Sequence, residues 1–582
     1  MLLDRQAGYL ADTLGVAPDQ IKVILLLVLA IPLSALFPAL PSSTRSSLQH
    51  LYSLVPSIVF LCFTLDLRYG FLELVADCLA TWTVAKIGIR QKWGKSMPWT
   101  VFAIVMGHLA YNHILRQIRD VPLTTIEITG SQMVLVMKLI SFAWSVADGQ
   151  RPLESLDKTQ QSSRIEKVPG LLEFMGYCLF FPSILAGPSF TYRSYDSFTS
   201  KRLFLKETAS STPGKHDGGK VTSKEIPAGR KRKAAKRLVT ALVFLGIYST
   251  YGSAYGMDKL LEPTFVGKKG LVERILFMNV AGFVARTKYY AVWCMAETAF
   301  IVAGLGYNPQ TEHYDASRNV RIRSIELAPN FKVLLDSWNM NTNVWLRECI
   351  YKRVAKTGKK PGFKSTQITF ITSALWHGFN PCYLLTFVLG GFCQSLGRML
   401  RSCVRPLVLP PGSTPTGPSK ATPAPVPTVK VDPQGRPPVK VRAPPQTPLK
   451  TLYDVVGIVS TQLVLNFVVV PFLLLDVATS LEAWRAVSWY GLWMVFVPIA
   501  AFHLGLAQAL KRRIKRRDLR KVERTRDEQE MERKRLEWEA SEERKRIRRG
   551  EGVPGIGMDF ESMVEEEERE AREAEQERAK KG

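Results

Sequence analysis

The chain has 582 residues, with 78 Lys or Arg against 51 Asp or Glu and a formal net charge of +27. Apolar residues make up 46% and the mean hydropathy is zero, but the average hides long apolar runs followed by a tail, Lys511–Gly582, with 23 basic and 21 acidic side chains. Runs of that length exclude a purely soluble globule, and eight scattered cysteines without paired spacing exclude a disulfide-framed secreted domain.

Residues 21–40 (IKVILLLVLAIPLSALFPAL) supply the apolar length that a helix needs to cross a bilayer. More apolar runs and no cleavage-like exit follow, which predicts an anchor and not a removed signal. Further apolar stretches lie at 51–65, 72–89, 99–115, 133–147, 171–186, 238–255, 275–284, 290–305, 368–396, 455–475 and 490–510. The predicted fold class is all-α, a polytopic membrane protein of roughly 10–12 transmembrane or re-entrant helices. The basic segments 201–237, 347–364 and 401–450 and the start of the tail, LKRRIKRRDLRK, are expected in the cytosol by the positive-inside rule. Basic flanks on both sides of 368–396 predict that it crosses an even number of times or dips in and returns. Stretches 455–475 and 490–510 read as a hairpin, with 476–487 on the far side.

Residues 405–450 are Pro-rich and are expected to form an extended, disordered cytosolic insert. The tail is dense in Glu, Lys and Arg with few breakers before Gly550, which predicts a solvated helix held by i,i+4 charge pairs. The expected organisation is a membrane domain over 1–510 and a charged cytosolic tail over 511–582. Neither the insert nor the tail resembles a nucleic-acid module. The excess of positive charge suits anionic lipid headgroups instead.

Polar side chains within apolar runs are costly and therefore mark candidate sites. Of seven histidines, His50 and His216 are expected in solvent. His108, His113, His313 and His503 read as hydrogen-bonded packing residues. His377 differs in its surroundings, Ser373-Ala374-Leu375-Trp376-His377-Gly378. An imidazole takes up a proton near neutral pH, burial favours its neutral form, and the small neighbours leave room for a substrate chain. The stretch 336–347 gathers Asp336, Trp338, Asn339, Asn341, Asn343 and Trp345. Such a set either orients a reacting group or caps the helix ending near Arg347. In 187–198, Tyr192, Tyr195 and Phe198 share one face of a short helix, as either a ligand wall or an interfacial aromatic belt. No His, Cys or Asp group has metal-ligand spacing, so no metal is expected.

Together the motifs GPxFxYxxYxxF (187–198), DxWNMxTNxWLR (336–347) and SALWHG (373–378) resemble the membrane-bound O-acyltransferase family, in its lysophospholipid acyltransferase branch of the broad-specificity fungal type. The resemblance implies a multi-helix fold around a central tunnel, acyl-CoA as co-substrate with no other cofactor, and a lysophospholipid acceptor among membrane lipids. It implies catalytic roles for His377 and Asn339. Trp338, Trp376, Asp336, Tyr192 and Tyr195 are expected to contact substrate. Where the family's third motif usually continues Pro-Gly-Tyr, this chain has Pro381-Cys382-Tyr383, and the larger side chain is expected to narrow the local path. The resemblance also implies residence in the endoplasmic reticulum membrane. Rival readings are the same fold acting on a glycerol, sterol or protein acceptor, a transporter or scramblase with polar residues lining a path, and a scaffold acting through the tail.

Overall fold

Apart from one isolated bridge between Asn308 and His313, all regular structure among the described residues is helical. The computed structural model describes residues 3–14, 17–41, 47–122, 125–205, 226–355, 361–410, 447–550 and 569. The chain divides into two units, Met1–Leu510 and Lys511–Gly582. Five helices among the described residues are long and apolar enough to cross a bilayer: Pro18–Ala39, Ser47–Thr64, Thr129–Gly149, Pro448–Leu474 and, through its apolar first part, Tyr490–Arg548. Arg68–Arg90, Ser96–Ile118 and Leu271–Ala303 are as long but carry more polar residues.

Thr129–Gly149 is buried along most of its length, as expected of a helix that is apolar on all sides. Its one cation, Lys138, is fully buried. The ammonium donates to the carbonyls of Tyr177 (3.0 Å) and Cys178 (3.1 Å) and to Ser183 Oγ (2.6 Å). Those carbonyls are freed because the expected 171–186 span is two pieces, Leu171–Cys178 and Phe181–Ile184, with Pro182 opening the second. Buried carbonyls need donors, and Lys138 supplies them.

The opposite correction applies to 275–284 and 290–305, which form one helix, Leu271–Ala303. The polar interruption in the sequence is absorbed by pairing. Buried Arg286 donates to Glu326 from Nε (3.0 Å) and Nη2 (2.7 Å) and to Asn466 from Nη1 (2.5 Å). Further along, Glu297 is fully buried and accepts from Arg237 Nε (2.7 Å) and Nη2 (2.6 Å). Arg237 belongs to Arg230–Tyr251, so the basic run expected as part of a loop instead starts a helix. Removing one partner of a buried pair leaves an uncompensated charge. Glu297→Ala is therefore expected to cost about 3–5 kcal/mol. The thermal midpoint of the detergent-solubilised variant checks this, and an unmoved midpoint contradicts it.

The 368–396 stretch is two helices, Phe363–His377 and Pro381–Cys403, broken at Gly378, Phe379 and Asn380. Residues 476–487 contain a short helix, Val477–Ala486, capped by Asp476. Within 405–450, Arg405–Val408 is helical and Thr447 caps Pro448–Val468. The rest of the Pro-rich insert, 411–446, lies outside the described residues, as do 206–225 with His216 and most of the tail beyond Gly550. The charged tail lies in the Ala507–Arg548 helix up to Arg548. There Glu530–Lys534 (3.0 Å), Arg533–Glu537 (3.7 Å) and Arg535–Glu539 (3.4 Å) are i,i+4 ion pairs.

Candidate active site

His377 is the last residue of Phe363–His377. Gly378 follows at φ +151°, and a Cβ there would lie 2.7 Å from the Tyr383 ring. Only glycine lets the chain leave the helix here while Tyr383 closes against it. Asn380 then starts the next helix, accepting from Cys382 N–H (2.8 Å) and donating to the Leu475 carbonyl (2.6 Å). The carbonyls of the helix end find partners too. Trp376 O faces His113 Nε2 at 3.3 Å, and the Trp376 indole donates to Met133 O at 2.9 Å.

The His377 ring is held by its backbone and by aromatic walls. Nδ1 lies 2.7 Å from Ser373 O. A carbonyl only accepts, so Nδ1 carries the ring proton and Nε2 keeps its lone pair. Trp376, Phe387 and Phe472 surround the ring with centroids at 4.5, 4.7 and 5.4 Å. Oriented this way, the imidazole is a proton acceptor in an apolar setting.

Asn339 begins the helix Met340–Trp345 in a left-handed conformation, φ +41°. Asparagine adopts this conformation more readily than other non-glycine residues. Here Asn339 Oδ1 is bound by Asn319 Nδ2 (3.1 Å) and Thr342 Oγ1 (2.8 Å). With the carbonyl end occupied, the amide NH₂ is the end left for a ligand.

Both residues line one cavity of about 1220 Å³ within Met1–Leu510. Trp338, Asp336 and Trp376 line it as well. Trp338 packs edge-on to Trp293 at 5.1 Å and Tyr289 at 5.6 Å. Asp336 is paired to Lys332 on its own turn. The cavity runs past apolar side chains such as Met133, Met137, Phe370, Phe387 and Phe472, and also reaches Arg347, Arg398 and Arg401. Arg398 Nη2 donates to Thr366 Oγ1 at 2.7 Å.

Three expectations do not hold in the geometry. Tyr192 and Tyr195 do not line the cavity. The Tyr192 hydroxyl donates to Glu173, and buried Tyr195 donates to Ser53 Oγ (3.0 Å) and faces His50 Nδ1 (2.9 Å) among Tyr177, Phe180 and Phe190. Their motif reaches the cavity only through Gly187, Pro188 and Ser189. His50 is accordingly buried and not in solvent. Cys382 is buried against Ser480, 4.0 Å away, and is not part of the lining, so it does not narrow the path. Conversely, Asn319 and His113 line the cavity with no motif to flag them.

Residues 114–417 match the model of the MBOAT, membrane-bound O-acyltransferase, family. The chain is 34% identical over 520 residues to a lysophospholipid acyltransferase of Schizosaccharomyces pombe, covering 89% of this chain and 92% of that one. It is 36% identical over 493 residues to a lysophospholipid acyltransferase of Saccharomyces cerevisiae, covering 82% and 72%. A human membrane-bound glycerophospholipid O-acyltransferase 2 is 27% identical over 458 residues, covering 77% of each chain. With its helices, its cavity and these matches, the chain belongs to the membrane-bound O-acyltransferase family.

Proposed function

We propose that the protein transfers a fatty acyl group from acyl-CoA to the free glycerol hydroxyl of a lysophospholipid, in a membrane, with His377 as general base and Asn339 as carbonyl-binding donor. The observation that carries this reading is that one cavity holds an imidazole with its Nε2 lone pair free and an amide with its NH₂ end free. The relatives named as lysophospholipid acyltransferases support the acceptor class.

The lysophospholipid hydroxyl meets His377 Nε2, which takes its proton as the oxygen attacks the thioester carbonyl carbon. The developing oxyanion receives a hydrogen bond from Asn339 Nδ2. The carbon–sulfur bond then breaks, the sulfur takes the proton from the imidazolium, and the products are a diacyl phospholipid and the free thiol. No covalent acyl-enzyme is required. The apolar lining suits the fatty chain. Arg347, Arg398 and Arg401 on the same cavity suit the phosphates of CoA, which guanidinium groups bind in bidentate fashion. Basic segments flanking the helices favour a cytosolic tail, and residence in the endoplasmic reticulum follows as part of the same proposal.

The test is the reconstituted protein given labelled acyl-CoA with a panel of lysophospholipids, glycerol, a sterol and an acceptor peptide. Thiol release matched one-to-one by labelled phospholipid is expected. Transfer to one of the other acceptors alone, or no thiol release with any of them, would overturn the reading.

A further inference from the structure

Resting on the transfer reaction proposed above, we infer that Asn319 is a positioning residue that sets which end of the Asn339 amide faces the reacting carbonyl. An asparagine side chain presents a donor at one end and an acceptor at the other, and only its partners decide which is which. Two backbone groups decide it here. The backbone N–H of Asn341 lies 3.2 Å from Asn319 Oδ1, and a backbone N–H can only donate. That fixes Oδ1 as the acceptor end of Asn319, so its other end, Nδ2, is the donor 3.1 Å from Asn339. Asn341 Nδ2 supplies Asn319 Oδ1 with a second bond at 3.1 Å, while also donating to the Arg318 carbonyl at 3.3 Å. Asn339 therefore presents Oδ1 to Asn319 and is left with Nδ2 towards substrate.

The anchor is rigid. Asn319 is buried, and its segment pairs with the 337–340 segment through Met340 N–H to Asn319 O (2.9 Å) and Arg321 N–H to Ser337 O (3.0 Å). The Val320 carbonyl is held by Arg237 Nη2 (3.1 Å), itself paired to buried Glu297. A left-handed residue at φ +41° is thus clamped through its carbonyl end. Asn319 touches neither substrate carbonyl nor hydroxyl in this scheme. It acts only through Asn339.

The variant Asn319→Asp keeps the acceptor for Asn341 N–H but sets an oxygen against Asn339 Oδ1. The Asn339 amide then turns over and shows its oxygen to the thioester. With purified, reconstituted protein, kcat is expected to fall about 10²-fold, the usual scale for losing one oxyanion donor, with KM for acyl-CoA and lysophospholipid within about twofold. In an Asn339→Ala background the same substitution is expected to cost nothing more, because its only route of action is gone. A merely structural role would instead lower both backgrounds alike. Should Asn319→Asp not be recovered as a monodisperse protein, Asn319→Ser, which lacks the Nδ2 donor and also the acceptor for Asn341 N–H, is read by the split between kcat and KM alone: a fall in kcat with KM within about twofold supports the inference and an unchanged kcat overturns it. Unchanged kcat in the single variant, or an equal further loss in the Asn339→Ala background, overturns the inference. Full activity of Asn339→Ala alone would instead overturn the role of Asn339 on which it rests.

Discussion

His377→Ala is expected to lower kcat for acyl transfer by about 10²–10⁴-fold, the range that a positioned general base contributes, with acyl-CoA still bound. Nε2 is the one ring nitrogen of His377 not engaged by the backbone, since Nδ1 is spent on Ser373 O. Alanine removes the acceptor without adding bulk to the aromatic walls, so binding of the fatty chain is expected to survive. His377→Gln tests the geometry. An amide reaches towards the same space but does not accept a proton at neutral pH, so it is expected to be as inactive as alanine. Separating kcat from KM for the two variants checks this. Retained turnover in either would mean that another group takes the hydroxyl proton.

The second large effect is at Asn339. Asn339→Ala is expected to lower kcat about 10²–10³-fold with little change in KM. Asn339→Asp is the sharper substitution, because it is nearly isosteric and keeps an acceptor for Asn319 Nδ2 and Thr342 Oγ1. If the residue worked by accepting a bond from the substrate hydroxyl, aspartate would preserve much of the rate. Because the free end is the NH₂, aspartate is expected to be at least as slow as alanine, placing an oxygen against the developing oxyanion. Steady-state kinetics of the two variants side by side decide between those roles.

Much of the candidate site is legible in the sequence because its chemistry is unusual where it stands. An imidazole between a tryptophan and a glycine, and an amide-rich cluster beside two indoles, are costly within a lipid-embedded helical fold, and the structure brings His377 and Asn339 to one cavity. What was not legible depends on partners far away in the chain. The aromatic spacing of Tyr192 and Tyr195 is the same for a packing face and for a ligand wall, and only contacts with Glu173 and Ser53 settle it. The polar break between 275–284 and 290–305 lies inside one helix because Glu326 and Asn466, far along the chain, satisfy Arg286. Cys382 departs from the motif at a position whose side chain points to Ser480. Asn319 sits in a stretch with no periodicity, and its role exists only through hydrogen bonds to residues some 20 positions on.

The most direct measurement is the structure of the protein with a lysophospholipid and an acyl-CoA analogue in which a methylene replaces the thioester sulfur. The glycerol hydroxyl oxygen should lie about 2.6–3.2 Å from His377 Nε2, and the analogue's carbonyl oxygen about 2.7–3.1 Å from Asn339 Nδ2. A hydroxyl bound outside the cavity, or a carbonyl turned away from Asn339, would contradict the mechanism.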